Sequence, residues 1–516
     1  MLNKNTQQTL SAAQDIKQLG LFASIASLSY VFWIVAGMEM VERLAYYGVK
    51  VVASLYANDP VSAGGLGVSM TDFGIILTFW AMVQSLVPVF TGGLSDRIGY
   101  KETIFISTLV KMAGYAVMAY FPSYNGFFVG AILLALGTGI FKPGIMGTLI
   151  KASNRQNSSM AWGIFYQTVN IGGFLGPIVA ASLRQFSWQQ VFIACIVIIS
   201  CNLLLLLMYK EPDKAERLAQ KAAIQRGEKK QSNLVIESIS ELKNPVLLAY
   251  LILFSAFWYM FNSLFDILPV FIRDWVDTTV IVSSLFGTEG TSNPVTQFLL
   301  GMDKSGLTIK PEGLMNLNAG LIMLSCFIFA ALSAKLKAIN SITLGTLFSS
   351  AALLIIASAN AAWLIVFAII VFSMGEMFSS PKFTEYLGNF APTDKKAMYL
   401  GFSQLPLFFG WTLEAATAPM MYDKWAAKDT LAREFLTAYG MTAQAVANIP
   451  IGEAFDNMLI VTALSTQDAT ELLYSGNSVG LMWYIMSAVG FASALGFYLY
   501  GRWIVNLHHK VKHAEG

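Results

Sequence analysis

Twelve stretches of roughly 20 or more mostly apolar residues dominate this chain and exclude most folds. They run near 30–56, 71–94, 102–121, 127–150, 161–183 and 189–209, then 247–271, 313–335, 340–359, 361–388, 395–422 and 479–506. Hydrocarbon offers the backbone no water, so such segments are expected to cross a bilayer as helices. Hydrophobic residues make up 55% of the 516 and charged ones 12%, against about 25% charged in soluble domains. A net charge of +2 gives no case for a nucleic-acid partner. Cys195, Cys201 and Cys326 lie in apolar runs, and His508, His509 and His513 fall in the polar tail. Neither a disulfide framework nor a metal site is expected from that pattern.

Charge between the spans orients them. The joints "SDRIGYK", "IKASNRQN", "AKLKAIN" and "TDKKAM" each carry a pair of basic residues, and 210–246 carries eight. The joints at 57–70, at 122–126 and near 360 carry none. Basic joints mark the cytoplasmic side, which predicts a multi-pass protein of the cytoplasmic (inner) membrane with both termini in the cytoplasm. The polar first 18 residues lack the apolar core of a cleaved signal, so insertion is expected to begin with the first span. The expected organisation is a cytoplasmic segment 1–29, a bundle 30–209, a charged linker 210–246, a second bundle 247–506 and a cytoplasmic tail 507–516. Within the second bundle, 423–478 is expected to form a long outer loop with some helix.

One span is far from uniformly apolar. In "GMEMVERLAYYGVK", residues 37–50, helical spacing puts Glu39, Arg43, Tyr46 and Lys50 on one stripe, flanked by Glu42 and Tyr47. A charge at the bilayer centre costs at least ~2.5–3.5 kcal/mol on insertion scales, so it pairs or lines a cavity. A structural ion pair Glu39–Arg43 explains two of the charges and leaves Glu42, Lys50 and both tyrosines unexplained. The stripe reads better as a cavity wall.

Several motifs resemble known families. "GGLSDRIGYK", with Gly92, Asp96, Arg97, Gly99 and Lys101, resembles the loop after the second span of major facilitator transporters. "ExxERLAYYG", Glu39 to Gly48, resembles the first-span signature of the proton-dependent oligopeptide transporter family. "GTGIFKPGIMGTL" is similar to that family's fourth span, with Lys142 at its lysine, and "FYQTVNIGGFLGP" to its fifth, with Tyr166, Asn170 and Gly172 matched. "KPEGLMNLNAG" resembles the eighth span, keeping Asn318 but with Ala319 for a proline, and "MGEMFSSP" the tenth, with Glu376 in place. The resemblance implies an all-α membrane protein of major facilitator fold, twelve transmembrane helices in two six-helix bundles, with a substrate site between them at the midplane.

It also implies a function: proton-coupled symport of di- or tripeptides, with protons as the coupling ion and no other cofactor. Arg43, Lys50 and Lys142 would take the peptide carboxylate and Glu376 its ammonium. Tyr46, Tyr47, Tyr166, Asn170 and Asn318 would take its backbone. Glu39, Glu42, Arg43, Lys142 and Asp266 are the proton-coupling candidates, with protonation breaking a bridge from the first span to Lys142. Other readings stay open for some residues: Glu376 as a packing group bonded to Ser373 or Ser379, and Asn170 as glue at a close glycine contact. Three departures from the family stand out. Asn262 occupies its seventh-span acid position, with Asp266 one turn on. Lys50 replaces an arginine. The eleventh span differs in pattern and adds Glu414. The alternative within transport is a divergent member carrying another small anionic or zwitterionic solute, such as an amino-acid derivative. An intramembrane enzyme would need a nucleophile–base pair or metal ligands, which the spans lack. The expected partners are a small-molecule or peptide substrate and the lipid bilayer, with no nucleic acid and no obligate protein partner.

Overall fold

The structure, a computed structural model, describes residues 21–153, 157–211, 214–215, 219, 241–358, 360–390 and 402–515. Most of the 210–246 linker, the 1–20 segment and the basic joint at 393–398 lie outside the described residues, as do the side chains of Asp96 and Arg97 and of the 507–516 tail. Twelve long helices carry the fold: α1 Tyr30–Lys50, α2 Met70–Ile98, α3 Tyr100–Tyr120, α4 Tyr124–Ala152, α5 Ser158–Leu183, α6 Trp188–Met208, α7 Pro245–Asp266, α8 Pro311–Ala334, α9 Ala338–Ser358, α10 Ala362–Phe390, α11 Gln404–Trp425 and α12 Leu481–Glu515. Polar residues set their starts. Ser29, Ser69, Ser123, Ser187 and Asn244 each accept a backbone N–H from the first turn of the helix that follows.

Ten of these helices are long and apolar enough to cross a membrane on composition alone; α1 and α11 are the two that fall short. In α1 the reason is charge, Glu39, Glu42, Arg43 and Lys50; in α11 it is low mean hydropathy, with Gln404, two prolines, Trp411 and the lone mid-helix Glu414 diluting the apolar run. Around the outside, large apolar side chains such as Phe105, Leu207, Leu324 and Leu495 remain exposed, the surface a bilayer would cover.

Helices α1–α6 pack among themselves, as do α7–α12, and the halves meet through α2 with α11 and α5 with α8. The spans differ from expectation at two ends. The first, expected over 30–56, stops at Lys50, and Ala53–Asn58 forms a separate short helix. The seventh, expected over 247–271, stops at Asp266, because Pro269 opens a new helix, Leu268–Trp275. The 423–478 region is more helical than a loop, containing Lys428–Ala438, Ala443–Ala447, Ala454–Thr462 and Thr466–Gly476. With the 53–69 and 268–310 segments it covers one end of the bundle, here called the capped end.

A close helix contact joins α1 and α5 within the first half. Gly172 and Gly176 of α5, spaced four apart, admit the backbone of α1. A Cβ at Gly176 would sit 2.5 Å from the Leu44 carbonyl oxygen and 2.8 Å from the Gly48 nitrogen, whereas one at Gly163 would meet only Phe327 at 3.8 Å. Gly176→Ala is therefore expected to cost about 1–3 kcal/mol and lower Tm in detergent, while Gly163→Ala leaves Tm level or higher. Equal Tm values for the two variants would contradict close packing of α1 on α5.

Candidate functional site

The site is built outward from α1. One turn apart on its buried face, Arg43 Nε donates to Glu39 Oε1 at 2.9 Å. Glu42 Oε2 lies equally close to Arg43 Nε, but the single Nε hydrogen is already directed at Glu39, so Glu42 is held there by charge alone. Its other oxygen accepts from Lys111 Nζ of α3 and Thr138 Oγ1 of α4, each at 3.3 Å. Lys111 is fully buried, with its ammonium 3.8 Å from the centre of the Phe141 ring. Lys142, beside Phe141, forms no ion pair among the described residues and lies within electrostatic reach of Glu39, Glu42 and Arg43. The expected bridge from α1 to Lys142 is thus replaced by one to Lys111: the lysine that reaches Glu42 stands on α3. A lone lysine inside the apolar run "STLVKMAG" was the available signal for it.

Between the halves lies a cavity of about 60 Å³ lined by Tyr47, Asn170, Phe265, Asn316, Asn318 and Glu376, among others. This is far below the ~300–1,000 Å³ of ordinary ligand pockets, so the cavity is contracted in this conformation. Asn318 Nδ2 donates to Glu376 Oε2 at 3.1 Å and to Ser373 Oγ at 3.0 Å. Glu376 therefore reaches Ser373 only through Asn318, and it has no cation in salt-bridge range among the described residues. Asn170 donates to the Tyr166 carbonyl one turn back, at 2.8 Å. Asn316, absent from the sequence reading, buries both amide atoms without a partner among the described residues.

Tyr46 does not join this cavity. Its hydroxyl accepts from Gln84 Nε2 at 3.0 Å, and Gln84 Oε1 accepts from Trp80 Nε1 at 2.9 Å. It is turned into the α1–α2 interface. Lys50 is likewise engaged within the protein, in an ion pair with Asp266 of α7, its ammonium 4.7 Å from the Trp411 ring centre and 5.5 Å from that of Trp80. Trp411 Nε1 donates to the second Asp266 oxygen at 2.9 Å. A carboxylate closing the C-terminus of α7 opposes the helix dipole, so the Lys50 ammonium answers a local need. Asn262 donates to the Trp258 carbonyl of its own helix, at 2.7 Å, and to nothing else among the described residues.

A second set of bridges ties the halves at the capped end. Arg184, at the end of α5, grips Glu312 of α8 through two hydrogen bonds, of 2.5 and 3.1 Å. Arg273 donates to Asp59 Oδ1 at 2.8 Å and Asn58 Oδ1 at 2.6 Å, and its Nε donates to Asp274 at 2.8 Å. Burial disfavours the Arg273 charge, but Asp274 and Asp59 outweigh it and raise its pKa. Among the described residues, every ion pair that crosses between the halves lies at or near this end. Of the loop motif, Gly99 is described at φ +128° between α2 and α3, a conformation that suits glycine alone; Gly92 lies within α2.

Removing one partner of a buried ion pair leaves an uncompensated charge. Lys111→Met is expected to destabilise the protein by about 3 kcal/mol, and Lys111→Met with Glu42→Gln to recover most of that loss. Unfolding of the single and double variants in detergent gives the coupling; additive losses would show that the two side chains do not interact.

Residues 21–413 match the family model described as Major Facilitator Superfamily. Among curated proteins, the "Uncharacterized transporter YclF" of Bacillus subtilis is 28% identical over 180 residues, 34% of this chain and 35% of that one. The "Dipeptide and tripeptide permease A" of Chromobacterium violaceum is 30% identical over 171 residues, 32% and 34% of the two chains. The chain thus matches about a third of the length of these relatives. Over nearly the whole chain the fold is shared with a crystal structure of a peptide transporter POT in complex with sulfate, at TM-score 0.65 and 16% identity, covering 96% of this chain and 98% of that one. A POT family transporter in complex with 5-aminolevulinic acid also gives TM-score 0.65, at 14% identity, covering 91% and 95%. The chain belongs to the Major Facilitator Superfamily.

Proposed function

We propose that the protein carries di- and tripeptides across the cytoplasmic membrane together with protons, opening the cavity between its halves to one side at a time. The observation that carries this reading is a charge asymmetry on the two sides of Tyr47, a cavity-lining residue within electrostatic reach of both Arg43 and Glu376. On one side Arg43, Lys111 and Lys142 stand against Glu39 and Glu42, leaving one cation in excess. On the other, Glu376 has only amide and hydroxyl company. A peptide in water carries a carboxylate and an ammonium, and a zwitterion laid across this cavity meets the opposite charge at each end. Lys142 and Arg43 suit the carboxylate, Glu376 the ammonium, and Tyr47, Tyr166, Asn170, Asn316 and Asn318 the peptide groups between. The names of the curated relatives, dipeptide and tripeptide permeases among them, support the substrate class.

On this reading the basic joints face the cytoplasm and the capped end faces outward. The bridges Lys50–Asp266, Arg184–Glu312 and Arg273–Asp59 then close the site to the outside. Glu42 is the first proton carrier. Its protonation takes the counter-charge from Lys111 and loosens Arg43, while Glu39 keeps its own bond to Arg43. Charge is thereby released into the cavity as the solute carboxylate arrives.

Uptake of labelled dialanine into proteoliposomes under an imposed pH gradient tests the reading. Saturable uptake that collapses with a protonophore is expected; no uptake of any di- or tripeptide would overturn it. Glu42→Gln should lose gradient-driven uptake yet keep counterflow exchange, and intact gradient-driven uptake would remove Glu42 from the proton path. Glu376→Gln should raise KM for peptides with a free amino terminus about 10- to 100-fold, the worth of one charged hydrogen bond. An unchanged KM would place the ammonium elsewhere.

A further inference from the structure

Glu414 of α11 is a charged-type side chain that the mechanism above leaves unused. It is fully buried, and neither carboxyl oxygen accepts a hydrogen bond from any N–H or O–H group among the described residues. An ionised carboxylate in that position would lose its hydration for nothing. Its ionisable neighbours decide what it does instead. The Asp266 carboxyl lies in hydrogen-bonding reach, with Lys50 behind it. Trp411, one turn earlier on the same face of α11, holds the second Asp266 oxygen. From α7 come also Tyr259, whose hydroxyl bonds Thr417 at 3.0 Å, and Tyr250, whose hydroxyl is turned to the Phe383 carbonyl. Helix α2, also packed on α11, carries no ionisable side chain between Asp72 and Asp96, and α12 has no charged residue before Arg502. Asp423, at the far end of α11, is occupied with the Met70 and Thr71 backbone N–H groups.

The count at this spot is two carboxyl groups and one ammonium. Lys50 neutralises one of them, and among the described residues no second cation forms an ion pair with either. Two carboxylates have only acceptors to offer each other, so a bond between them requires a proton. We propose that Glu414 holds a proton and donates it in a hydrogen bond to Asp266, making a second proton-binding site distinct from Glu39 and Glu42. The inference rests on the symport reading for its role but not for its chemistry. With the proton on Glu414, Asp266 keeps its ion pair with Lys50 and the halves remain bridged. The acid missing at Asn262 is thus replaced by a pair shared between α7 and α11.

Infrared spectroscopy of the reconstituted protein reads the proton directly. At neutral pH the wild type should show a protonated-carboxyl carbonyl band that Glu414→Gln loses and Glu376→Gln retains. Incorporation of isotope-labelled glutamate should shift that band, and this needs no variant to fold. A Glu414→Gln spectrum with the band intact, or a wild-type band that the label fails to move, would overturn the proposal. Absence of peptide uptake by the wild type would sink the symport reading while leaving the infrared result to stand by itself.

Discussion

Four charges on one apolar helix have to be neutralised by other helices, and that requirement organises the first half of the protein and its join to the second. Glu42 reaches Lys111 on α3 and Thr138 on α4, Arg43 is shared by Glu39 and Glu42, and Lys50 goes to Asp266 on α7. Each isolated charge would cost at least ~2.5–3.5 kcal/mol in lipid, so the partners are not decoration. They decide which helices can stand next to α1. The glycines of α5 complete the arrangement by letting α1 approach until the polar face is closed off from lipid.

Bridges of this kind are also reversible. A buried ion pair gives back much of its Coulomb attraction in lost hydration, so admitting water or a proton shifts its balance easily. At the capped end they form a chain of alternating sign, Glu312 to Arg184 to Asp59 to Arg273 to Asp274, which Tyr422 closes with a 2.6 Å hydrogen bond to Asp274. The helices of the 426–480 segment reinforce this end: Glu453 accepts from Ser62 of the other half at 2.7 Å. Closing one end with charge rather than with apolar packing leaves a structure that can open without exposing a hydrophobic core.

Much of this was legible in the chain. Apolar runs and the basic joints between them sufficed for twelve helices in two sets, and the polar stripe of α1 marked a buried site. What the spacing could not supply was neighbourhood. Helical periodicity tells which residues share a face, but not which helix that face meets, so Lys142 was expected where Lys111 stands. For the same reason Tyr46 was grouped with the cavity although it turns toward Gln84. Asp266, one turn beyond Asn262, finds its partner Lys50 216 residues away, a pairing that no local spacing could show. Arg184, Glu312, Asp59 and Arg273 sit at the ends of spans, where charged residues are ordinary, and nothing in their local sequence distinguishes a bridge from a solvated side chain.

The central claim is that the charge bridges at the capped end define one of two states, and inter-spin distances test it most directly. Labels at the exposed Phe186 and Leu299 report across the capped end, and labels at Ile98 and Lys337 across the opposite end, with the exposed Cys201 replaced. At alkaline pH without peptide, a single short distance is predicted at the capped end. Acid pH with a dipeptide should add a longer distance there and a shorter one at the other end. Distances that move in the same sense at both ends, or that never move, would contradict the account.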